Sequence, residues 1–245
     1  MPLPDFALML DYRPDLQSCT PGPPPQGAAI STDLDVALFE PPVQEPVRRI
    51  RRHAHATTPM RIVLIRHGRP DIATDPRTSH AGFRTYIDDY EAAGLDPKSA
   101  PPEEIQDLVK ELDAIYTSTK PRATDSAKAL APHAELIADP LFAEAPLASP
   151  RIPLLRMKVP KWAIVARILW HAGYHPEIEN YRKAKHRAAE AANILMKRAG
   201  VQGVSALVAH GYFNAMIGRE LRRRGFRKSG AHRVKFWNAV IYDIP

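Results

Sequence analysis

Cysteine is almost absent from this sequence. The single cysteine, Cys19, excludes an internal disulfide bond. A chain with so few thiols is typical of a reducing compartment, and we therefore predict a cytoplasmic protein.

Long hydrophobic runs are also missing. The nearest candidate, residues 162–170, is interrupted by Arg167 and is too short to span a bilayer. The first ten residues have no basic region ahead of an apolar one, and they include Asp5, which argues against a secretory signal. The sequence thus predicts no stable membrane insertion.

Basic residues are in excess, but no nucleic-acid-binding motif accompanies them. The formal net charge is +7, and arginines cluster at residues 48–52 and 222–224. Zinc-finger spacing and aromatic RNA-binding strands are both absent from the sequence. We interpret the arginine clusters as solvated faces and predict no nucleic-acid partner. Carboxylates, cysteines and histidines are not grouped at metal-ligand spacing, so no metal and no cofactor are predicted.

Proline separates the chain into two parts. Residues 1–59 hold eleven of the 25 prolines and show no sustained periodicity. Such a segment buries too little apolar surface to offset its ordering entropy, which predicts a disordered extension. Met60 stands directly before the first convincing strand, and a start of translation there is an open alternative. Residues 60–245 form the predicted domain.

Strand and helix patterns alternate in that domain. Short apolar runs predict strands, and helix-forming stretches bounded by proline or glycine predict the helices between them. This alternation predicts a three-layer α/β/α sandwich with a mainly parallel sheet, and an edge strand within residues 234–244. The predicted strands are 61–66, 112–118, 135–138 and 204–209, and the helices are 121–130, 180–199 (stopped by Gly200) and from 211 to about 224.

Groups suited to binding phosphate follow three of the predicted strands. The first strand leads to Arg66-His67-Gly68, the second to Ser118 and Arg122, and the fourth to His210-Gly211. Ligands of parallel sheets bind beyond the carboxyl ends of the strands, where these residues meet. Guanidinium groups bind phosphate oxygens bidentately, and the helix after His210 is expected to direct its first amides at the same anion.

These segments resemble the motifs of the histidine phosphatase superfamily, also called phosphoglycerate mutase-like. LIRHG at 64–68 is similar to its Arg-His-Gly signature. YTSTKPRATDSA at 116–127 is similar to its second motif, in which a serine precedes an arginine by four positions. VAHG at 208–211 is similar to its second histidine motif. Order and spacing agree over residues 60–245, and the resemblance implies a phosphoglycerate mutase-like fold of the bacterial phosphatase type.

The resemblance implies a role for each residue at the strand ends. His67 is the nucleophile that forms a phosphohistidine, and a backbone carbonyl is expected to fix its tautomer. Arg66, Arg122 and His210 hold the transferring phosphoryl group without a metal. Gly68, Ser118 and Gly211 complete the motifs, and Arg69 is a further candidate phosphate contact.

A proton donor to the leaving oxygen is also required. The segment DPLFAE at 139–144 resembles the family's acid loop, which makes Glu144 the candidate general acid, with Asp139 and Glu135 as alternatives. The glycine that usually follows in the family is absent. Residues 145–180 are an insertion rich in basic and aromatic residues, which predicts a lid over the substrate. A helix packed on the domain and a peripheral contact with an anionic membrane are the alternatives.

The resulting prediction is a phosphomonoesterase. Its substrate is a phosphorylated small molecule or a phosphoprotein, and the sequence indicates no oligomeric state. A phosphoglycerate mutase-like phosphotransferase, a phosphohistidine protein phosphatase and a catalytically silent phosphate-binding module remain alternatives. Mutase activity is disfavoured because residues 69–83 lack the Ser and Trp-Asn features of mutases.

Overall fold

The computed structural model describes residues 59–245. The predicted disordered extension, residues 1–59, lies outside the described residues apart from Pro59. In chain order the elements are β1 (Met60–Arg66), β2 (Arg77–Thr78), α1 (His80–Ala92), α2 (Glu103–Gln106), β3 (Ala114–Thr117), α3 (Pro121–Leu130), β4 (Glu135–Ala138), a 3₁₀ turn (Pro140–Phe142), β5 (Met157–Lys158), α4 (Val159–His171), α5 (Tyr181–Gln202), β6 (Val204–Ala209), α6 (Gly211–Arg223), β7 (Arg227–Ser229) and β8 (Ala239–Ile244).

A six-stranded sheet forms the centre of the domain. Its order is β4-β3-β6-β1-β8-β7, in which the first four strands are parallel, β8 pairs antiparallel with β1, and β7 pairs antiparallel with β8. The predicted, mainly parallel sheet is thus confirmed. The carboxyl ends of β1, β3 and β6 lie at one edge because these three strands are parallel neighbours.

Helices cover both faces of the sheet. Along β1, Ile62 and Leu64 join a core cluster with α5 and α6, whereas Val63 and Ile65 join a second cluster with α2 and α3. All four side chains are fully buried. Alternate residues of a strand point to opposite faces of the sheet, so this continuous apolar run contributes to the hydrophobic core on each face. The three-layer α/β/α sandwich is confirmed.

The prediction of an edge strand within residues 234–244 was wrong. β8 is shorter than predicted and lies between β1 and β7, where Val240 and Tyr242 are buried. The edge is β7, whose three residues are all exposed. Two of the three are cationic, a composition that protects a sheet edge but gives no apolar pattern by which a strand is recognised.

Helix α5 also differs from its prediction, because it continues through Gly200. Asn180 caps its start, accepting a hydrogen bond from the Lys183 amide at 2.9 Å. The helix ends at Gly203, which has a φ of +78°. Its alanine-rich buried face extends as far as Ala199, and this packing offsets the modest helix cost of the glycine.

The insertion at 145–180 contains helix α4, which packs on the domain. The apolar residues of its buried face are Val159, Trp162, Ala166 and Trp170. Trp162 stacks on Phe83 of α1 with ring centroids 5.9 Å apart. Both tryptophans therefore belong to the protein interior. Within residues 59–245, no helix is long and apolar enough to cross a membrane.

A half-buried histidine near β8 predicts acid sensitivity. The Nε2 atom of His232 lies 2.8 Å from the Tyr242 hydroxyl, and burial followed by the charges of Lys228 and Arg219 lowers its pKa to about 4. Because the unfolded chain binds this proton near pH 6.5, the folded state loses stability as the pH falls from 6.5 towards 4.

We expect His232→Gln to remove part of this pH dependence. The wild-type protein should lose roughly 2–3 kcal/mol more than the variant between pH 7 and pH 4.5, measured by urea unfolding. His133→Gln, at an exposed position, is the matched control. Parallel pH profiles of wild type and His232→Gln would contradict the assignment.

Candidate active site

His67 directly follows β1 and is almost completely buried. Its backbone amide donates to the carbonyl of Ala209 at 2.9 Å, which extends the β1–β6 ladder by one residue. Its Nδ1 atom lies 2.7 Å from the carbonyl oxygen of Gly68. A carbonyl only accepts hydrogen bonds, so Nδ1 carries the proton and Nε2 keeps its lone pair. The expected backbone carbonyl that fixes the tautomer is therefore Gly68.

Electrostatics keep this imidazole neutral. Burial lowers the pKa of His67 well below its ordinary value, and the charges of Arg66 and Arg122 lower it further. A histidine without a proton on Nε2 is the form that attacks an electrophile. The surroundings thus maintain the reactive form across the neutral pH range.

His210 lies beside His67, where β6 ends. The two imidazole centroids are 5.3 Å apart. The Nδ1 atom of His210 lies 3.4 Å from the guanidinium Nη2 of Arg122, and Nε2 lies 2.9 Å from the Ser118 hydroxyl oxygen. Because a guanidinium only donates, Nδ1 accepts and Nε2–H is directed at Ser118. Burial and the same arginine charge lower the pKa of His210.

Arg122, near the start of α3, is the most enclosed cation of the site. It is fully buried, and its guanidinium donates to the Tyr90 carbonyl at 2.8 Å and to the Glu91 carboxylate at 2.9 Å. The Tyr90 ring lies over the guanidinium, 4.6 Å from its centre. Glu91 also accepts from Lys120 at 2.7 Å. Burial would raise the pKa of Glu91, but Arg122 and Lys120 together lower it.

Arg66, the last residue of β1, supplies the second guanidinium group of the site. Its guanidinium donates to the Val234 carbonyl and lies 4.7 Å from the centre of the Phe236 ring. Gly211 makes room for it, since a Cβ there would stand 3.3 Å from the arginine Cδ and Nε. Within residues 59–245, the buried Nε atoms of Arg66 and Arg122 have no hydrogen-bond partner. Two buried N–H donors of the site are thus left unpaired.

Gly68 is required by close packing. Its amide donates to the Ser126 hydroxyl at 2.8 Å, and Ser126 donates in turn to the Arg122 carbonyl. A Cβ at Gly68 would fall 2.5 Å from Leu95 and 2.6 Å from Trp237. Any side chain would therefore displace the turn that carries His67.

Arg69 does not join this group. Its side chain is 58% exposed and pairs with Asp96 at 3.6 Å, while its amide donates to Ser99. None of the contacts among residues 59–245 connects it with the two histidines. We therefore leave Arg69 out of the proposed phosphate site.

Glu144 lies at the start of α6, which His210 caps. One carboxylate oxygen accepts from the Phe213 amide at 2.9 Å, and the other accepts from the Tyr212 amide at 3.2 Å. The expectation that the first amides of this helix point at the anion was therefore wrong for these two residues. The alternatives Asp139 and Glu135 do not make such contacts: Asp139 caps the 3₁₀ turn, and Glu135 is exposed.

Two arginines hold the segment that carries Glu144. Arg187 of α5 donates to two carbonyls before it, and the buried Arg167 of α4 donates to two carbonyls after it. Arg167 also lies over the Tyr212 ring at 4.0 Å. The insertion thereby supports the acid segment. The carbonyls are Leu141 and Ala143 for Arg187 and Ala145 and Pro146 for Arg167.

Sequence reasoning missed several residues of this site. Lys120 and Ser126 stand inside the second motif, and their position there was the available signal. Tyr90, Glu91 and Phe236 gave no signal, since they come from α1 and from the loop before β8, far from any motif. Within the described part of the chain, histidines, cysteines and acidic residues form no group of three or more that could hold a metal ion.

Fold and site together define an α/β protein with two buried histidines and two buried guanidinium donors at the carboxyl edge of its sheet. The chain belongs to the histidine phosphatase superfamily. The family model that matches is branch 1, over residues 62–244.

Three solved structures to which this chain is similar share 13% to 17% of their sequence with it. Mycobacterial glucosyl-3-phosphoglycerate phosphatase is 17% identical, with a TM-score of 0.44 over 67% of this chain and 80% of that one. A Mycobacterium tuberculosis open-reading-frame product is 17% identical, with a TM-score of 0.48 over 74% and 90%. A mutant of Entamoeba histolytica phosphoserine phosphatase, in complex with phosphoserine, is 13% identical, with a TM-score of 0.46 over 75% and 93%. No protein of curated function matches the sequence.

Proposed function

We propose that this protein is a metal-independent phosphomonoesterase that works through a phosphohistidine on His67. The observation that carries the proposal is the pair of buried, neutral histidines between Arg66 and Arg122. Two guanidinium groups supply the positive charge that a phosphoryl group in transfer requires. Family membership and the fixed tautomer of His67 support the same chemistry.

The reaction has two steps. In the first, Nε2 of His67 attacks phosphorus, the P–O bond to the alcohol breaks, and the departing oxygen takes a proton from Glu144. In the second, water attacks the phosphohistidine, Glu144 takes back a proton, and the P–N bond breaks to release phosphate and His67. In both steps His210, whose Nε2–H lies 2.9 Å from the Ser118 hydroxyl oxygen, is the further proposed donor to the phosphoryl oxygens, which would replace Ser118 as its acceptor.

Trapping of the intermediate tests this proposal. The protein is mixed with p-nitrophenyl phosphate in the presence of EDTA, quenched with alkali within milliseconds, and digested for mass spectrometry. We expect a phosphorylated histidine at position 67, which survives alkali and is lost in acid. Turnover that requires a divalent metal, or a phosphate found on another residue, would overturn the mechanism.

Additional substrates and acceptors in this experiment separate the alternatives. A catalytically silent binding module binds phosphate but forms no phosphohistidine. A phosphotransferase keeps the phosphate on His67 when only water is available and transfers it when a second alcohol is added. A phosphohistidine protein phosphatase dephosphorylates a phosphohistidine protein faster than any small ester.

Replacement of Glu144 is expected to affect substrates according to their leaving group. Glu144→Gln should lower kcat for an alkyl phosphate by about 10²–10³-fold, because an alkoxide needs a proton to leave. For p-nitrophenyl phosphate, whose phenolate leaves unprotonated, the loss should be below about 10-fold in phosphohistidine formation, measured by stopped-flow burst. Asp139→Asn is the control for an acid in the same segment. Equal losses for both esters would assign Glu144 a purely structural role at α6.

A further inference from the structure

The aromatic side chains beside His67 indicate the chemistry of the alcohol part of the substrate. This inference rests on the proposed function. We propose that this part bears an uncharged, flat ring that packs on Tyr90 and Phe236 beside the phosphoryl site. The substrate class is therefore phosphate monoesters of ring-bearing, uncharged alcohols.

Two aromatic rings flank the nucleophile. The Phe236 ring lies 5.9 Å from the His67 ring, and the Tyr90 ring lies 6.4 Å from it, measured between centroids. His67 is only 2% exposed, whereas Tyr90 and Phe236 are half-buried. The buried histidines and guanidinium groups surround the phosphoryl position, so the ester's alcohol extends towards solvent. The exposed parts of these two rings are the apolar surface that it meets.

Tyr86 extends this surface by one turn of α1. Its ring is tilted by 32° against Tyr90, with centroids 5.9 Å apart. Burial, followed by Tyr90, raises the pKa of the Tyr86 phenol to about 12, so the group stays uncharged at neutral pH. A row of uncharged aromatic side chains thus leads away from the nucleophile.

Two cations of this region are paired with carboxylates. Lys120 pairs with Glu91 at 2.7 Å, and Arg69 pairs with Asp96 at 3.6 Å. Arg233 and Lys235 line a separate surface hollow of about 250 Å³, whose lining includes neither His67 nor Phe236. A second anionic group that met Lys120 or Arg69 would have to displace a carboxylate from that cation. The charge distribution thus favours an uncharged alcohol.

Each ring also packs on a guanidinium group of the proposed phosphate site, so a purely positioning role has to be distinguished from binding of the alcohol. Tyr90 lies 4.6 Å from Arg122, and Phe236 lies 4.7 Å from Arg66. A ring that only positions an arginine affects all phosphate esters equally. A ring that binds the alcohol affects only those esters whose alcohol reaches it. The test therefore compares an ester whose alcohol carries a ring with one whose alcohol carries none.

The test compares 2-phenylethyl phosphate with ethyl phosphate. Both release a primary alcohol of similar acidity, so they differ mainly in the ring. We expect the wild-type kcat/KM to be about 10-fold or more higher for the phenyl ester, since packing on an aromatic side chain is worth roughly that factor. 3-Phosphoglycerate, which adds a carboxylate, should be a poorer substrate than ethyl phosphate.

Substitution of the rings completes the experiment. In Phe236→Leu and Tyr90→Leu, the ratio of kcat/KM for the phenyl ester to kcat/KM for ethyl phosphate should fall to about 3-fold or less, because any loss that comes through Arg66 or Arg122 is common to both esters and cancels in the ratio. Tyr174→Leu, in the turn after α4, should retain the full preference. Equal losses for both esters would assign the rings to positioning and overturn the inference.

Measurements on the wild-type protein distinguish failure of the ring-binding inference from failure of the proposed function. Equal rates for the two alkyl esters, with phosphohistidine still formed on His67, would overturn the ring-binding inference and leave the proposed function intact. If none of the three esters is hydrolysed and no phosphohistidine forms with p-nitrophenyl phosphate, the proposed function fails and the inference fails with it.

Discussion

Replacing His67 with alanine is expected to lower kcat/KM for p-nitrophenyl phosphate by roughly 10⁴-fold or more. The variant keeps the guanidinium groups and His210 but has no atom that bonds to phosphorus. Residual turnover then comes only from water attacking a bound ester. Initial rates measured with EDTA present, at matched protein concentrations, check this prediction.

Two controls make that result interpretable. His133→Ala removes an exposed histidine and should keep wild-type activity. Affinity for vanadate or inorganic phosphate should fall less than about 10-fold in His67→Ala, because the charged donors that hold an anion remain. Turnover in His67→Ala within about 10-fold of wild type would refute the covalent mechanism.

Arg122→Ala should produce the second largest loss, about 10³-fold in kcat/KM. It removes a buried guanidinium that contacts His210, and it leaves Glu91 as a carboxylate near the anion site with Lys120 as its remaining cation. Arg122→Lys should recover at most about 10-fold, because an ammonium group does not reproduce the planar fork. Phosphate affinity, measured by calorimetry, should fall with activity.

A second substitution is expected to restore part of the activity lost in Arg122→Ala. Removing the negative charge with Glu91→Gln in the same chain should recover about 10-fold or more, since the repulsion of the substrate disappears. Arg224→Ala, at the far end of α6, controls for loss of an arginine that binds a backbone carbonyl and should leave activity unchanged. Unaltered phosphate affinity in a folded Arg122→Ala would contradict a role in holding the phosphoryl group.

Local sequence patterns were sufficient to predict the strands and helices that carry the motifs. The apolar run of β1 and the proline at the start of α3 are strong local signals, and both elements lie where they were predicted. The ordering of parallel strands then brings His67, His210 and Arg122 to one edge. Topology alone thus sufficed to group these residues.

Contacts across the fold could not be predicted from the sequence. Glu91 binds Arg122 only because α1 lies over the start of α3, a position that depends on the packing of Phe83 against Trp162. The contact of Glu144 with the amides of α6 likewise depends on how arginines of α4 and α5 hold its loop. Such arrangements result from side-chain packing over long sequence separations and leave no periodic trace.

The position of β1 in the sheet has a consequence for biosynthesis. Its two neighbours, β6 and β8, lie about 140 residues or more further along the chain. At roughly 5–20 residues per second, a ribosome needs on the order of ten seconds to make the intervening segment. During that time the apolar residues Ile62, Val63, Leu64 and Ile65 have no strand partner, so the nascent chain carries an aggregation-prone segment. We expect its yield in cells to depend on chaperones that bind short hydrophobic stretches, and to rise when translation is fast.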